Sequence, residues 1–441
     1  MDVLCADAFA LYQRCVSVQA VECLQKQLHV RVRRSIFTAS VVIWLMILQR
    51  LQRKGTLATA VEALLRGGAD ELLSGCPRAQ QKRISRHTGG YSHGRQRLPK
   101  LVCRQVVQEL TLQLRSILDA DGGGPLCYVL DGSSLELESS TELRKAYPPA
   151  QNLHGRAHWP VLRMVVLHEL ETGVAEEPRW GAMYGPEATS EQILAEAAMD
   201  ALVPGSAVIG DRNFGVFTVA WAAEQRGLKS VVRLTAQRAL KLRGEAISTP
   251  GEWGVRWTAS RGDGKRRGGM PPQASVEGRL IAARVGRGKS KQWLFLFTTM
   301  SLPSAEVVEL YGKRWRIETD LRSLKRTFQL QHVTARKQSM MEKEILTAIA
   351  AYNLVRTVMA LAARRHHIAP RQLSFSFALT VVNAHWDRLQ SVTDQATRQQ
   401  NADWLLDTIV QGKHPQRRKR RSYPRAVWSH GAKFPSQNNS L

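Results

Sequence analysis

A chain of 441 residues is long for one compact domain, so two or three structural units are the natural expectation. Lys and Arg number 63 against 37 Asp and Glu, and the resulting formal charge of +26 disfavours an ordinary metabolic enzyme and favours a polyanionic partner. With 44% hydrophobic residues and 11 tryptophans the chain can bury real cores, which excludes a disordered basic protein.

From residue 1 to about 84 the pattern is helical. Val41, Trp44, Leu45 and Leu48 recur at helical spacing, and Ala58 to Leu65 makes another amphipathic stretch after Gly55. The longest apolar run, Phe37 to Leu48, is shorter than the roughly 20 residues a membrane span needs, so a buried helix is expected and no membrane partner. Met1-Asp2-Val3-Leu4 lacks the basic start of an export signal. Cys5, Cys15, Cys23, Cys76, Cys103 and Cys127 follow no regular spacing and read as reduced thiols of a cytosolic protein. Between Lys82 and Lys100 the chain turns basic and Gly-rich, with Arg83, Arg86, Arg95 and Arg97. That composition predicts a linker, lying on phosphates or simply in solvent.

A helix is predicted from about Leu101 to Leu118, ending at Asp121-Gly-Gly-Gly124. Leu126 to Leu130 is a short apolar run that predicts a buried strand with Asp131-Gly132 at its C-terminal tip. Val161 to Leu170 and Val174 to Met183 predict two more strands, and Ser190 to Leu202 a helix with Ser190 and Glu191 at its start. Ala207 to Gly210 is a fourth strand ending in Asp211, Val216 to Gln225 a helix stopped at Gly227, and Ser230 to Leu234 a fifth strand. Three antiparallel-looking strands followed by helix, strand, helix and strand describe a mixed α/β sheet. Gln237 to about Thr299 breaks the rhythm with Trp253, Trp257, a basic loop and two strand-like runs, and reads as a β-rich insertion. Helices dominate again from Ala305 to Arg365, and the tail carries Arg417-Arg-Lys-Arg-Arg421. Two imitations of functional motifs are set aside. His154 and His158 are separated by Gly155 and followed by Trp159-Pro160, which suits no helical metal pair; Gly288-Lys289-Ser290 has Ala283 where a phosphate loop needs glycine.

Tyr311, Arg314, Glu318 and Lys325 are spaced by three, four and seven residues. At about 100° per residue they fall in one helical stripe roughly 60° wide, beside an apolar stripe of Ile317, Leu321, Leu324 and Phe328. A carboxylate flanked by a phenol, a guanidinium and an ammonium suits metal and phosphate together. An amphipathic helix laced with i,i+4 pairs has the same composition. Asp131 and Asp211 each follow an apolar strand, where α/β sheets place site residues, although an acid there is also a common turn residue. With Glu318 they provide three carboxylates, enough for a two-metal phosphoryl-transfer site in which Mg²⁺ is the expected ion.

Tyr311-x2-Arg314-x3-Glu318-x6-Lys325, with Asp131 in Leu130-Asp-Gly-Ser and Asp211 in Gly210-Asp-Arg-Asn-Phe, resembles the signature of bacterial DDE transposases of the insertion-sequence-4 family. The resemblance spans roughly Leu126 to Arg365. It implies a ribonuclease H-like mixed sheet with a β-rich insertion, an N-terminal helical domain and a helical, basic C-terminal region. The corresponding divisions are 1–100 for a helical, DNA-binding region and basic linker, 101–236 and 301–370 for the two parts of the catalytic core, 237–300 for the insertion, and 371–441 for the C-terminal helices and tail. It further implies that Asp131, Asp211 and Glu318 ligate two Mg²⁺ ions, with Mn²⁺ as a substitute, and that Tyr311, Arg314 and Lys325 hold the terminal phosphate and bases. Arg233 falls where relatives have a DNA-contacting arginine. Trp293 falls where those that cut through a hairpin stack an indole on a flipped base, a contact of ~1–3 kcal/mol; it also begins an apolar strand, as a core residue would. The implied partners are transposon-end and target duplexes and a second copy of the chain on DNA, in the bacterial cytoplasm. Two other functions share these features: a ribonuclease H-like structure-specific nuclease without joining activity, and a basic DNA-binding protein that has lost catalysis. A two-carboxylate glycosidase has no use for the charge.

Overall fold

The computed structural model describes residues 16–32, 35–52, 55–73, 76–81, 83–118, 126–152, 155–266, 270–271, 273–286, 291–327, 330, 332–389 and 394–413. Cys5, Cys15, the Asp121–Gly124 run, His154, the Gly288–Ser290 motif, Phe328 and Arg417–Arg421 lie outside the described residues.

The N-terminal helices are α1 (Val18–Gln27), α2 (Ala39–Leu51), α3 (Leu57–Leu65), α4 (Gly89–Arg97) and α5 (Lys100–Leu118). Helix α2 takes in most of the longest apolar run and is buried around nearly its whole circumference, as expected of a core helix. The segment read as a linker is instead helical over α4. Its glycines allow close approach: a Cβ at Gly94 would lie 2.9 Å from Val42 Cγ2. Arg95 of α4 pairs with the nearly buried Glu344 at 2.5 Å, so this arginine serves packing and not a phosphate.

A mixed sheet follows, formed by β1 (Cys127–Leu137), then after helix α6 (Thr141–Ala146) β2 (Val161–Glu169) and β3 (Arg179–Ala182), then after α7 (Glu191–Ala198) β4 (Ala207–Gly210), and after α8 (Phe217–Gln225) β5 (Lys229–Leu234). Helix α9 (Ala236–Arg243) leads to β6 (Gly251–Thr258), β7 (Ser275–Val285) and β8 (Gln292–Thr298). Helices α10 (Ser304–Gly312) and α11 (Arg316–Arg322) precede the short β9 (His332–Val333), and α12 (Gln338–Arg365), α13 (Phe375–Leu389) and α14 (Gln395–Gln411) complete the described chain. The nine-stranded sheet runs β3-β2-β1-β4-β5-β8-β7-β6, with β9 also paired to β1. Strands β1, β4 and β5 are mutually parallel, and the other pairs on that path are antiparallel.

The 237–300 segment is rich in strands, which extend the main sheet through the β5–β8 pairing, with Trp253 and Trp257 on β6. Two expectations are corrected. The strand predicted over Val174–Met183 is regular only at β3, because Ala175 makes a single bridge to His168 before the chain leaves the sheet. Strand β1 runs on past its apolar start, so Asp131 lies within the strand and not at its tip.

Helix α12 is the spine of the helical side: it is long and apolar enough to cross a membrane, yet its apolar window is wholly buried against α2, α5, α13 and α14. It is fastened to the sheet by a buried ion cluster. Asp320, fully buried on α11, accepts from Arg356 of α12 and from Arg371 Nη1 at 2.6 and 2.8 Å. Arg371 also donates to the carbonyls of Leu170 and Glu169 at the end of β2, at 3.0 and 3.1 Å. Burial alone would raise the Asp320 carboxyl, but the two guanidiniums hold it below its ordinary value.

Removing one member of such a cluster leaves buried charge uncompensated. Asp320→Ala is therefore expected to destabilise the fold by about 3–5 kcal/mol, read from denaturant unfolding; a loss under 1 kcal/mol would contradict the role given to the cluster. His168, fully buried beside it, has its imidazole pushed from 6.5 down to about 4 by burial, with both arginines adding and Asp320 opposing. The unfolded chain thus binds more protons in that interval, and stability should fall by on the order of 3 kcal/mol as pH drops from 6.5 to about 4. His168→Gln should flatten that part of the pH–stability curve.

Candidate active site

The site starts from strand pairing. One edge of β1 pairs with β2 over Tyr128–Glu136. The other edge pairs with β4 only over Cys127–Val129, and with β9 only at Glu136 and Leu137. Between Val129 and Glu136 that second edge faces no strand among the described residues, and Asp131 lies in the gap. Val129 is in register with Ile209, so two residues further on Asp131 stands abreast of Asp211, which has just left β4.

Their charges interact. Burial pushes the Asp131 carboxyl up to about 6; the Gly132 amide, donating to Oδ1 at 2.8 Å, pulls it down, Asp211 adds to the rise, Arg314 opposes it and Glu191 adds again. Two hard oxygen donors held together in a half-buried gap fit a divalent cation. Asp211 is fixed by its own loop, where the Asn213 amide donates to its Oδ1 at 2.8 Å. Arg238 of α9 braces the loop by donating to the carbonyls of Arg212 and Gly215 at 3.1 and 3.0 Å.

Above the acids lies the Tyr311–Lys325 segment. The expected single helix is divided: α10 ends at Gly312, a 3-10 turn spans Lys313–Trp315, α11 follows, and a π turn covers Ser323–Thr327. A fixed angle per residue therefore does not describe the stripe. Ile317, Leu321 and Leu324 are buried as predicted. Tyr311 and Arg314 are buried too, and their charges and dipoles reach Asp211, Arg233 and Asp131. Burial raises the Tyr311 phenol, with Arg314 and Arg233 opposing. Arg314 Nε is buried and has no hydrogen-bond partner among the described residues, a donor fitted for an anion.

The remaining predicted residues are less closely gathered. Glu318 is exposed on α11, which lies against β1. Among the described residues no group of three or more His, Cys, Asp or Glu side chains is arranged to hold a metal, so Glu318 does not complete a triad here. Lys325 is half-buried; burial lowers its ammonium, and Glu136 of β1 opposes. Trp293 is the second residue of β8, which runs antiparallel to β5, and so lies at the end of the sheet where Asp211 and Arg233 emerge. It is half-buried, stacked on Phe295 at 5.6 Å, with Arg284 4.2 Å from its ring centre.

Two neighbours were not singled out as site residues from sequence. Glu191, read there as a helix-start residue, packs its carboxylate over Gly132. Trp315 is 60% exposed beside Arg314, whose Cζ is 5.0 Å from its ring centre. A tryptophan inside the signature was the one available signal for the second; Glu191 had none. A groove of about 810 Å³ opens next to Gln192, lined by Arg238, Lys241, Arg256 and Trp257.

Two neighbouring acids with a buried arginine and tyrosine close by suit phosphoryl transfer. The family model described as Transposase DDE domain matches residues 122–354, more than half of the chain, and the protein belongs to that family. It is 26% identical over 429 residues to "Transposase InsG for insertion sequence element IS4" of Escherichia coli (strain K12), covering 94% of this chain and 90% of that protein. A solved structure described as "Cryo-EM structure of piggyBac transposase synaptic complex with hairpin DNA (SNHP)" is similar at 10% identity and a TM-score of 0.41, covering 92% of this chain and 85% of that one. The protein is thus an enzyme of DNA transposition, acting by DNA cleavage and strand transfer, and divalent metal ions serve such enzymes generally.

Replacing Asp211 by Asn removes a negative neighbour, so in the metal-free protein the Asp131 midpoint should fall below about 6. Carboxyl-carbon chemical shifts report it; an unmoved midpoint would mean that the two acids do not share a site.

Proposed function

We propose that the protein cuts DNA at the inverted-repeat ends of an insertion sequence and joins the freed ends to a target duplex. In this reading Asp131, Asp211 and Glu318 hold two Mg²⁺ ions, for which Mn²⁺ can substitute. The supporting observation is that Asp131, in the open edge of β1, and Asp211 each lie two residues beyond the Val129–Ile209 pair and interact through their charges, with Arg314 and Tyr311 close by. When bound, the metal pair supplies activation of the attacking oxygen and stabilisation of the leaving one. Glu318, exposed on the adjacent helix α11, is the third donor, completing the set when metal and DNA are present.

The chain's own donors then position the strand. Arg314 turns its unpartnered Nε to the phosphate next to the cut, and the Tyr311 hydroxyl supports the same oxygens. Arg233 and Lys325 hold the flanking backbone. Trp293 stacks on a displaced base, an assignment favoured by its place at the site's end of the sheet and opposed by its packing on Phe295. The groove with Arg238, Lys241 and Arg256 gives the duplex a basic path from the site. Residues 1–100 and 371–441 flank the core as further DNA-binding regions, consistent with the charge of +26. Holding both ends at once calls for a homodimer on DNA, working in the bacterial cytoplasm.

Glu318→Gln keeps the shape of the side chain and removes its charge. It should abolish Mg²⁺-dependent cleavage of a duplex bearing the inverted repeats, with a loss of at least about 10²-fold, while band shifts show DNA binding unchanged within about threefold. Cleavage at the unmodified rate would sink the assignment. Supplying pre-cut ends and a target plasmid separates the transposase from a nuclease, which would yield no joined product.

A further inference from the structure

We propose that Glu191 is a positioning residue that locks the Asp211 loop to β1 through Asn213. The proposal rests on the reading that Asp131 and Asp211 hold divalent metal. Glu191 opens α7, whose first turn is capped by Ser190 accepting from the Ile193 amide at 3.3 Å. Its side chain crosses to β1 and covers Gly132, the residue next to Asp131. A Cβ at that glycine would stand 2.4 Å from Glu191 Cδ and 2.5 Å from Oε1, so the carboxylate occupies the space a side chain would take.

The other carboxylate oxygen accepts from Asn213 Nδ2. Gln192, the next residue of α7, donates to both Oδ1 and the backbone carbonyl of Asn213 at 2.9 Å. The Asn213 amide in turn holds Asp211 Oδ1 at 2.8 Å. One helix start therefore touches the backbone beside the first acid and, through a single asparagine, the carboxylate of the second. Among the described residues no lysine or arginine pairs with Glu191, although its charge acts on Asp131. A third negative group beside the two acids works against the metal-free protein and in favour of the cation-bound one. The same contacts fix the spacing of the two acids, the quantity a metal pair is most sensitive to.

The test compares Glu191→Ala, Glu191→Gln, Asn213→Ala and the double alanine variant, with Asp131→Asn as reference. Binding of Mn²⁺ to the full-length protein is read by loss of the free-ion paramagnetic resonance signal. Cleavage of a transposon end is followed in parallel. Asn213 is exposed, so its alanine variant keeps the test open should Glu191→Ala fold poorly. Each single alanine change should weaken Mn²⁺ binding about tenfold or more, the double variant should be no worse than either within about twofold, and Glu191→Gln, which keeps the accepting oxygen, should recover binding to within about threefold. Wild-type affinity in Glu191→Ala, with binding lost in Asp131→Asn, would overturn the bracket and leave the site standing. Glu191→Gln as weak as Glu191→Ala would overturn positioning in favour of direct ligation. Wild-type affinity in Asp131→Asn would remove the site itself, and the bracket with it.

Discussion

The parallel register between β1 and β4 governs the rest of the molecule. Because Val129 pairs with Ile209, Asp131 on β1 and Asp211 just past β4 each follow that pair by two residues, and the sheet brings the two carboxylates close together. Backbone pairing is strong and directional, so the approach of the two acids is set first by the sheet. The same register obliges β1 to lose its partner after Val129, since β4 stops at Gly210. The gap this leaves is filled again only at Glu136 by β9. A site made this way is open to a large substrate yet walled by a rigid sheet.

On the other side of the site, the helical half seats α11 against β1. Helix α11 carries Glu318 outward and Asp320 inward, two residues apart. The inward acid is clamped to Arg356 and Arg371, so the exposed acid stands on a firmly seated turn. The 3-10 and π turns on either side of α11 let a short helix satisfy both demands, because an unbroken helix could not keep Tyr311, Arg314, Ile317, Asp320 and Leu324 all inside while leaving Glu318 exposed above β1.

Much of this was legible in the sequence. Short apolar runs ending in acids marked β1 and β4, and the spacing of Tyr311, Arg314, Glu318 and Lys325 marked the segment that faces them. What was not legible is tertiary in origin. The apolar run stops at Leu130 while the strand runs on, because Gly132, Ser133 and Ser134 are half-buried or exposed and are not required to be hydrophobic. Asp320 reads as one more surface charge on an amphipathic helix; its partners lie 36 and 51 residues away. Glu191 looks like an ordinary first-turn acid favoured by the helix dipole. The glycines of 89–97 suggested a linker because composition cannot distinguish a flexible glycine from one that admits Val42 and Phe37.

In the proposed mechanism three acids, Asp131 on β1, Asp211 just past β4 and Glu318 on α11, share two metal ions once DNA is bound. The most direct measurement is the structure of the protein with a transposon-end duplex and Mn²⁺, with metal located by its anomalous scattering. Two peaks about 3.5–4 Å apart are expected, with Asp131 and Asp211 within bonding distance and Glu318 drawn in to complete the set. A metal found away from Asp131 and Asp211, or a fully loaded complex in which Glu318 touches none, would contradict it.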